Sequence, residues 1–275
     1  MKYKPKIVAI ILLLFIATQL IGIFVGNHYF KKELPYKIEK PKLPEAQKTV
    51  SFLPIMFFLL IVTFIAVMLI RFRAVTVWRA WFFLGIAVAL LISFSAFIPE
   101  PLALAFAISI AAFKVYRPNF FVHNIGELFV YSGLAALFVP LLNIISISLL
   151  LVGISIYDII AVWKTKHMIK LAKFQAQQRM FAGLLVPYKE KKKNPGEVVR
   201  FAILGGGDVG FPMLFIVTVL RDFGMTMALT SLAFVSIALL LLLIFAQKNR
   251  YYPAMPYLSI GCFAGFLVGL LATMV

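Results

Sequence analysis

Acidic side chains are scarce in this chain. Of its 275 residues only ten are Asp or Glu, against 27 Lys or Arg, and only three are aspartates: Asp158, Asp208 and Asp222. Charged residues make up 13% of the sequence and hydrophobic ones 63%, where soluble domains run at about 25% and about 45 to 50%. That shortage excludes a water-soluble globule, which would lack the polar surface to cover its apolar one. Cysteine occurs once, at Cys262, so an intrachain disulfide is excluded and cysteine use says nothing about compartment. Internal repeats are also lacking, which removes the inverted-repeat sign of many transporters.

What is present is apolar sequence in long blocks. Residues 7–25, 52–70, 80–97, 128–157, 223–246 and 251–275 contain no Asp, Glu, Lys or Arg. Each is near or above the roughly 20 residues that cross about 30 Å of hydrocarbon. A helix satisfies its own backbone in lipid, so these blocks predict an all-α membrane protein. Nine transmembrane helices are expected, at about 7–26, 52–70, 77–98, 101–116, 121–139, 141–163, 199–220, 224–246 and 253–274. The stretch from Phe121 to Trp163 is too long for one crossing and divides at Pro140, which a continuous helix tolerates poorly. Lys114, near the end of the fourth span, is expected to snorkel to the interface. The first block follows Lys2, Lys4 and Lys6 but has no small-x-small site before Asn27, so it reads as a retained helix.

The formal charge of +17 does not point to nucleic acid, because the basic residues sit in short loops between apolar blocks instead of on one soluble face. They orient the chain. Nine crossings with a cytoplasmic N-terminus put 20 Lys and Arg on the cytoplasmic side and seven outside, as the positive-inside rule requires. The C-terminus then lies outside. The chain divides into an N-terminal set of six helices over 1–163, a basic cytoplasmic loop over 164–198 and a C-terminal set of three helices over 199–275. The loop ends in Lys189, Glu190, Lys191, Lys192, Lys193, Asn194, Pro195 and Gly196 and reads as a solvated linker touching anionic headgroups.

Two of the three aspartates fall inside predicted spans, where an ionisable residue is costly and marks function. Asp158 lies six residues before Lys164 in the sixth helix, roughly 9 Å deep at 1.5 Å per residue. Asp208 lies eight residues after Arg200 in the seventh, roughly 12 Å deep from the same side. A lone buried carboxylate would protonate, whereas two facing carboxyl groups share one proton and hold a water between them. One then acts as base on that water as it attacks a peptide carbonyl, and the other as acid. Such chemistry requires neither metal nor cofactor.

The neighbours of each aspartate add to this. Gly205, Gly206 and Gly207 precede Asp208; they weaken the helix and admit water or an extended peptide. Pro212 disturbs the ladder four residues on. Tyr157 precedes Asp158, and its hydroxyl reads equally well as an orienting donor or as a packing aromatic. Pro253, Ala254, Met255 and Pro256 open the last span. Two prolines in four residues leave unpaired backbone groups for an extended substrate, although on its own the segment reads as a plain helix start.

Together these pieces resemble the YD, GxGD and PAL signatures of presenilins and signal peptide peptidases. Tyr157-Asp158, Gly205-Gly206-Gly207-Asp208 and Pro253-Ala254-Met255-Pro256 carry the resemblance, with Met255 where the motif has Leu. Thr165, Lys166, His167 and Met168 look like the segment that follows the first catalytic aspartate in prokaryotic members. The resemblance implies a presenilin-like fold and hydrolysis of transmembrane helices by Asp158 and Asp208, with 253–256 holding unwound substrate. The orientation looks like that of presenilin. It also implies residence in a prokaryotic cell membrane. Expected partners are transmembrane-helix peptides and the lipid bilayer, with homo-oligomers left open. Two other readings use the same residues: a cation or proton transporter with a carboxylate relay, and a non-catalytic scaffold for transmembrane helices. Elsewhere, Glu127 and His123 read as a snorkelling interfacial pair, Asp222 with Arg221 as an exposed ion pair worth little, and His167 as interfacial.

Overall fold

The computed structural model describes residues 4–41, 44, 49, 51–71, 75–117, 119–164, 182–191, 197–246 and 252–274. Among them run nine α-helices: α1 (Pro5–Lys31), α2 (Phe52–Arg71), α3 (Val75–Phe94), α4 (Glu100–Tyr116), α5 (Phe120–Phe138), α6 (Ile144–Ile159), α7 (Gly206–Phe223), α8 (Met225–Phe245) and α9 (Met255–Met274). Six helical segments are long and apolar enough to cross a membrane: Pro5–Lys31, Thr76–Phe94, Phe120–Leu141, Ile144–Lys164, Met225–Phe245 and Met255–Thr273. The chain is a mostly helical, multi-pass membrane protein.

The division at Pro140 holds. α5 stops at Phe138, a 3-10 turn covers Val139–Leu141, and α6 restarts after Asn143. Asn143 Oδ1 accepts from Ser146 N–H at 2.8 Å while Ser146 Oγ accepts from Asn143 N–H at 2.9 Å, a reciprocal cap that supplies partners to the first-turn amides. Arg221 closes the break from the side, its guanidinium donating to Val139 O and Leu142 O at 2.6 Å each. The Arg221–Asp222 pair predicted from sequence does form, at 2.7 Å. Its cation, however, also binds backbone carbonyls at the break between α5 and α6, a role that sequence separation hides.

α7 is the central helix. It packs against α1, α5, α6, α8 and α9, and Met213, Phe215, Ile216, Val217, Thr218 and Val219 on it are fully buried. Because lipid is as apolar as leucine, helices in a bilayer are held by close packing and polar contacts. Small residues show where the approach is closest. A Cβ on Gly265 of α9 would lie 2.6 Å from Ser231 Cα in α8, and one on Gly133 of α5 would lie 1.9 Å from Ala89 O in α3. α3 and α4 form a lateral layer on α5, packed through Leu90, Ala103, Ala107, Ala111 and Val130.

The chief departure from expectation lies before α7. The seventh helix was expected from residue 199, but it begins at Gly206. An antiparallel hairpin precedes it, β1 (Gly183–Lys191) paired with β2 (Glu197–Gly205), in register from Gly183 opposite Gly205 to Lys191 opposite Glu197. Leu184, Val186, Ala202 and Leu204 are buried while Phe201 and Ile203 are exposed, the period of two that marks a strand. The loop predicted over 164–198 as a solvated linker is therefore in part ordered structure, and the boundary drawn at 198 falls inside β2. The alternation is masked in the sequence because the outward positions, Phe201 and Ile203, are themselves apolar. Residues 165–181 and 192–196, with Thr165, Lys166, His167 and Met168, lie outside the described residues.

Candidate active site

Asp158 closes the last helical turn of α6 and is buried. Beyond it the helix widens into a π turn over Ile160–Lys164, a distortion often found at functional sites. Its partner is the start of α9. Pro253 and Pro256 have no amide proton, and the amides of Tyr257 and Leu258 already bond to Ala254 O at 3.1 Å. The prolines thus leave Ala254 and Met255 as the available donors of that terminus. Met255 N–H donates to Asp158 Oδ2 at 3.2 Å. In effect Asp158 caps α9 from another helix, where the partial positive charge of a helix N-terminus favours an anion. Ser155 Oγ and Ser259 Oγ, 2.9 Å apart, tie the same two helices one turn away.

Asp208 stands in the first turn of α7, three residues past the N-cap Gly205. Its carboxyl group turns back toward Gly205. The glycines differ in what they allow. A Cβ on Gly205 would meet Asp208 Oδ2 at 3.0 Å, and one on Gly206 would meet the Tyr131 hydroxyl at 2.8 Å and Ala182 O at 3.3 Å, whereas one on Gly207 would find only ordinary contact with Phe211. Gly206 N–H donates to Ala182 O at 3.1 Å, which fastens the start of α7 to the start of β1.

The two aspartates stand at adjoining ends of packed helices, Asp158 in the last turn of α6 and Asp208 in the first turn of α7. Asp158 is buried and Asp208 half-buried. The route to Asp208 differs from the expected one: it is not two turns into a helix that starts at 199. It sits at a strand-to-helix junction, and β2 covers the distance at about 3.3 Å per residue. Tyr157 is half-buried beside Asp158, and Pro253 and Met255 are buried. A cavity of about 420 Å³ lined by Tyr29, Lys40, Pro140 and Arg221 lies apart from the aspartates, toward the opposite end of α7.

The sequence from residue 8 to 275 matches the family of signal-peptide peptidases and presenilin aspartyl proteases. The chain belongs to that family. It is a presenilin-type intramembrane aspartyl protease, and neither rival reading, transporter or scaffold, gains support. Two solved structures of a presenilin family intramembrane aspartate protease share its fold. The one in a C222 space group has a TM-score of 0.68 at 21% identity, covering 96% of this chain and 99% of that one. The one in a P2 space group has a TM-score of 0.66 at 22% identity, covering 95% and 96%. No curated protein matches the chain.

Around the aspartates of this presenilin-type protease lies a polar cluster that sequence reading misplaced. Lys114 and Glu127 were expected at the interface, one snorkelling alone and the other beside His123. Both are buried, 2% and 1% exposed, and form an ion pair across α4 and α5. His123 is buried too and faces Gly183 O at 2.8 Å instead of Glu127. Tyr131 donates to Glu127 Oε2, and Asn124 bonds both to Leu185 O at 2.8 Å and to Leu185 N–H at 3.0 Å. The available signal was helical spacing: residues 123, 124, 127 and 131 share one face of α5. Snorkelling loses because a carboxylate on the neighbouring helix offers Lys114 a partner inside the bundle.

Proposed function

We propose that Asp158 and Asp208 are the catalytic pair of this protease, cleaving transmembrane helices within the bilayer by the GxGD-type aspartic mechanism. The observation that carries the reading is that Asp158 at the end of α6 and Asp208 in the first turn of α7 stand at adjoining ends of two packed helices, in a chain of the presenilin aspartyl protease family. Two such groups cannot both ionise cheaply, so they share a proton and bind one water between them. The ionised member removes a proton from that water as its oxygen attacks the scissile carbonyl, and the protonated member donates to the developing oxyanion. Collapse of the tetrahedral intermediate returns that proton to the leaving nitrogen.

A substrate helix must unwind before water reaches its carbonyls, because each is hydrogen-bonded within the helix. Gly205, Gly206 and Gly207, the supporting segment Pro253-Ala254-Met255-Pro256 and Tyr157 line the place where such a segment would lie. The backbone of β2 and of residues 252–254 supplies partners for an extended strand. The asymmetry of basic residues supports nine crossings with a cytoplasmic N-terminus, and the resemblance to prokaryotic members of the family favours a prokaryotic cell membrane. The partners proposed are single transmembrane-helix peptides and the bilayer itself, with self-association as an open variant.

The test is direct. Purified protein in lipid vesicles is incubated with a single-span peptide, and fragments are read by mass spectrometry. Asp158→Asn and Asp208→Asn should each abolish cleavage while the protein remains folded and inserted; cleavage at the wild-type rate by either variant removes the dyad.

A further inference from the structure

We propose that Glu127 is a positioning residue for Asp208, holding from α5 both the hairpin and the first turn of α7. The inference rests on the catalytic reading of Asp208. Each oxygen of the Glu127 carboxylate is engaged. Oε1 pairs with Lys114, and Oε2 accepts from the Tyr131 hydroxyl and, at 3.1 Å, from Gly183 N–H. Those two donors lead to the same place by separate routes. Gly183 pairs across the hairpin with Gly205, the N-cap of α7, and its neighbour Ala182 accepts Gly206 N–H at 3.1 Å. Tyr131 lies against Gly206 so closely that a Cβ there would meet its hydroxyl at 2.8 Å. Glu127 therefore grips Gly205 and Gly206 from both sides, three and two residues ahead of Asp208.

Stability alone does not explain such a pair. Burying Lys and Glu together costs desolvation that their attraction barely returns, and apolar replacements of the same volume are often at least as stable. What an apolar pair lacks is a fixed acceptor for two donors at once. The carboxylate provides that acceptor, and His123 and Asn124 complete the clamp by binding Gly183 O and both backbone groups of Leu185. Lys114 has a second effect: it neutralises Glu127, so that the clamp does not set an uncompensated third negative charge beside the aspartates.

The experiment compares purified wild-type protein in phosphatidylcholine vesicles with three variants on a single-span peptide. These are Glu127→Ala with Lys114→Ala, Glu127→Gln with Lys114→Met, and Tyr131→Phe. Loosening the clamp displaces Asp208 without touching the substrate, so the alanine pair should lose kcat about tenfold or more with KM within about twofold. The Gln/Met pair keeps an acceptor oxygen without charge and should recover to within about threefold of wild type, while Tyr131→Phe loses about two- to fivefold in kcat. Amide exchange across residues 183–191 should quicken in the alanine pair and in Tyr131→Phe. Unchanged kcat in the alanine pair, or an equal loss in the Gln/Met pair, overturns the proposal. Should the alanine pair fail to fold, Tyr131→Phe decides, and unaltered kcat and exchange there overturn it as well. Asp208→Asn is run alongside. If that variant cleaves like wild type, the catalytic reading falls and this inference with it; if it is dead while the alanine pair is fully active, only Glu127 loses its role.

Discussion

Gly206→Ala probes the junction where strand becomes helix. As the first residue of α7 it should tolerate alanine, and the gain in helix propensity is about 0.5 to 1 kcal/mol. The new Cβ, however, would meet the Tyr131 hydroxyl at 2.8 Å and Ala182 O at 3.3 Å. To regain ordinary contact the hydroxyl must retreat by about 0.5 Å, which breaks its charge-assisted bond to Glu127 at a cost of about 1.5 to 3 kcal/mol. The balance is a net loss of about 1 to 2 kcal/mol, since the clash exceeds the propensity gain. Tyr131→Phe removes the obstructing oxygen. The double variant should then be no less stable than Tyr131→Phe alone, because the propensity gain is released once the clash is gone. Thermal midpoints and cleavage rates of wild type, both single variants and the double, in one lipid, complete the cycle. A coupling of about 1 kcal/mol or more, in the direction of rescue, is expected. Strict additivity would refute the idea that the Tyr131 hydroxyl is what demands glycine at 206.

Other outcomes follow from the same geometry. The rate of cleavage should pass through a maximum with pH: below it both aspartates are protonated and no base remains, above it both are ionised and no acid remains. A profile that only rises or only falls contradicts a shared proton. Gly133→Ala drives a Cβ to 1.9 Å from Ala89 O, forcing α3 from α5; a loss of about 3 kcal/mol, or about 6 to 12 °C in midpoint, is expected from thermal unfolding in detergent. Arg221→Ala should cost about 2 kcal/mol through the freed carbonyls of Val139 and Leu142, whereas Asp222→Ala should cost less than about 0.5 kcal/mol. Equal losses in those two would mean that the ion pair, not the carbonyl contacts, carries the stability. Chelation with EDTA should leave cleavage unchanged; a loss restored by a divalent metal would mean that a metal site had been overlooked.

Most helices were legible in the sequence because lipid imposes a strong and local rule: a spanning segment must be long, apolar and helical. The break at Pro140 was legible for the same reason, since a missing amide and a fixed φ act on the chain wherever it folds. The two aspartates stood out because ionisable groups are rare in such segments. Legibility ended where contacts join residues distant along the chain. Lys114 and Glu127 each look like an interfacial charge until α4 and α5 are set side by side, and His123 looks like a partner for Glu127 until β1 is laid against the same face.

The hairpin shows the limit most clearly. Residues 199–205 read as helix because their apolar content satisfies a membrane criterion, yet they form a strand because β1 pairs with them and α5 holds the outer edge of β1 at Gly183 and Leu185. The sequence by itself determined the class of protein, a mostly helical multi-pass membrane protein, and singled out two aspartates as candidates, both of which follow from local composition and the solvent the chain must live in. Only the tertiary structure decided how Asp208 is presented, at the first turn of a helix fed by a strand, and which buried side chains hold it there. Hydrogen bonds across helices depend on which faces meet, and that is a property of the packed bundle, not of any one segment.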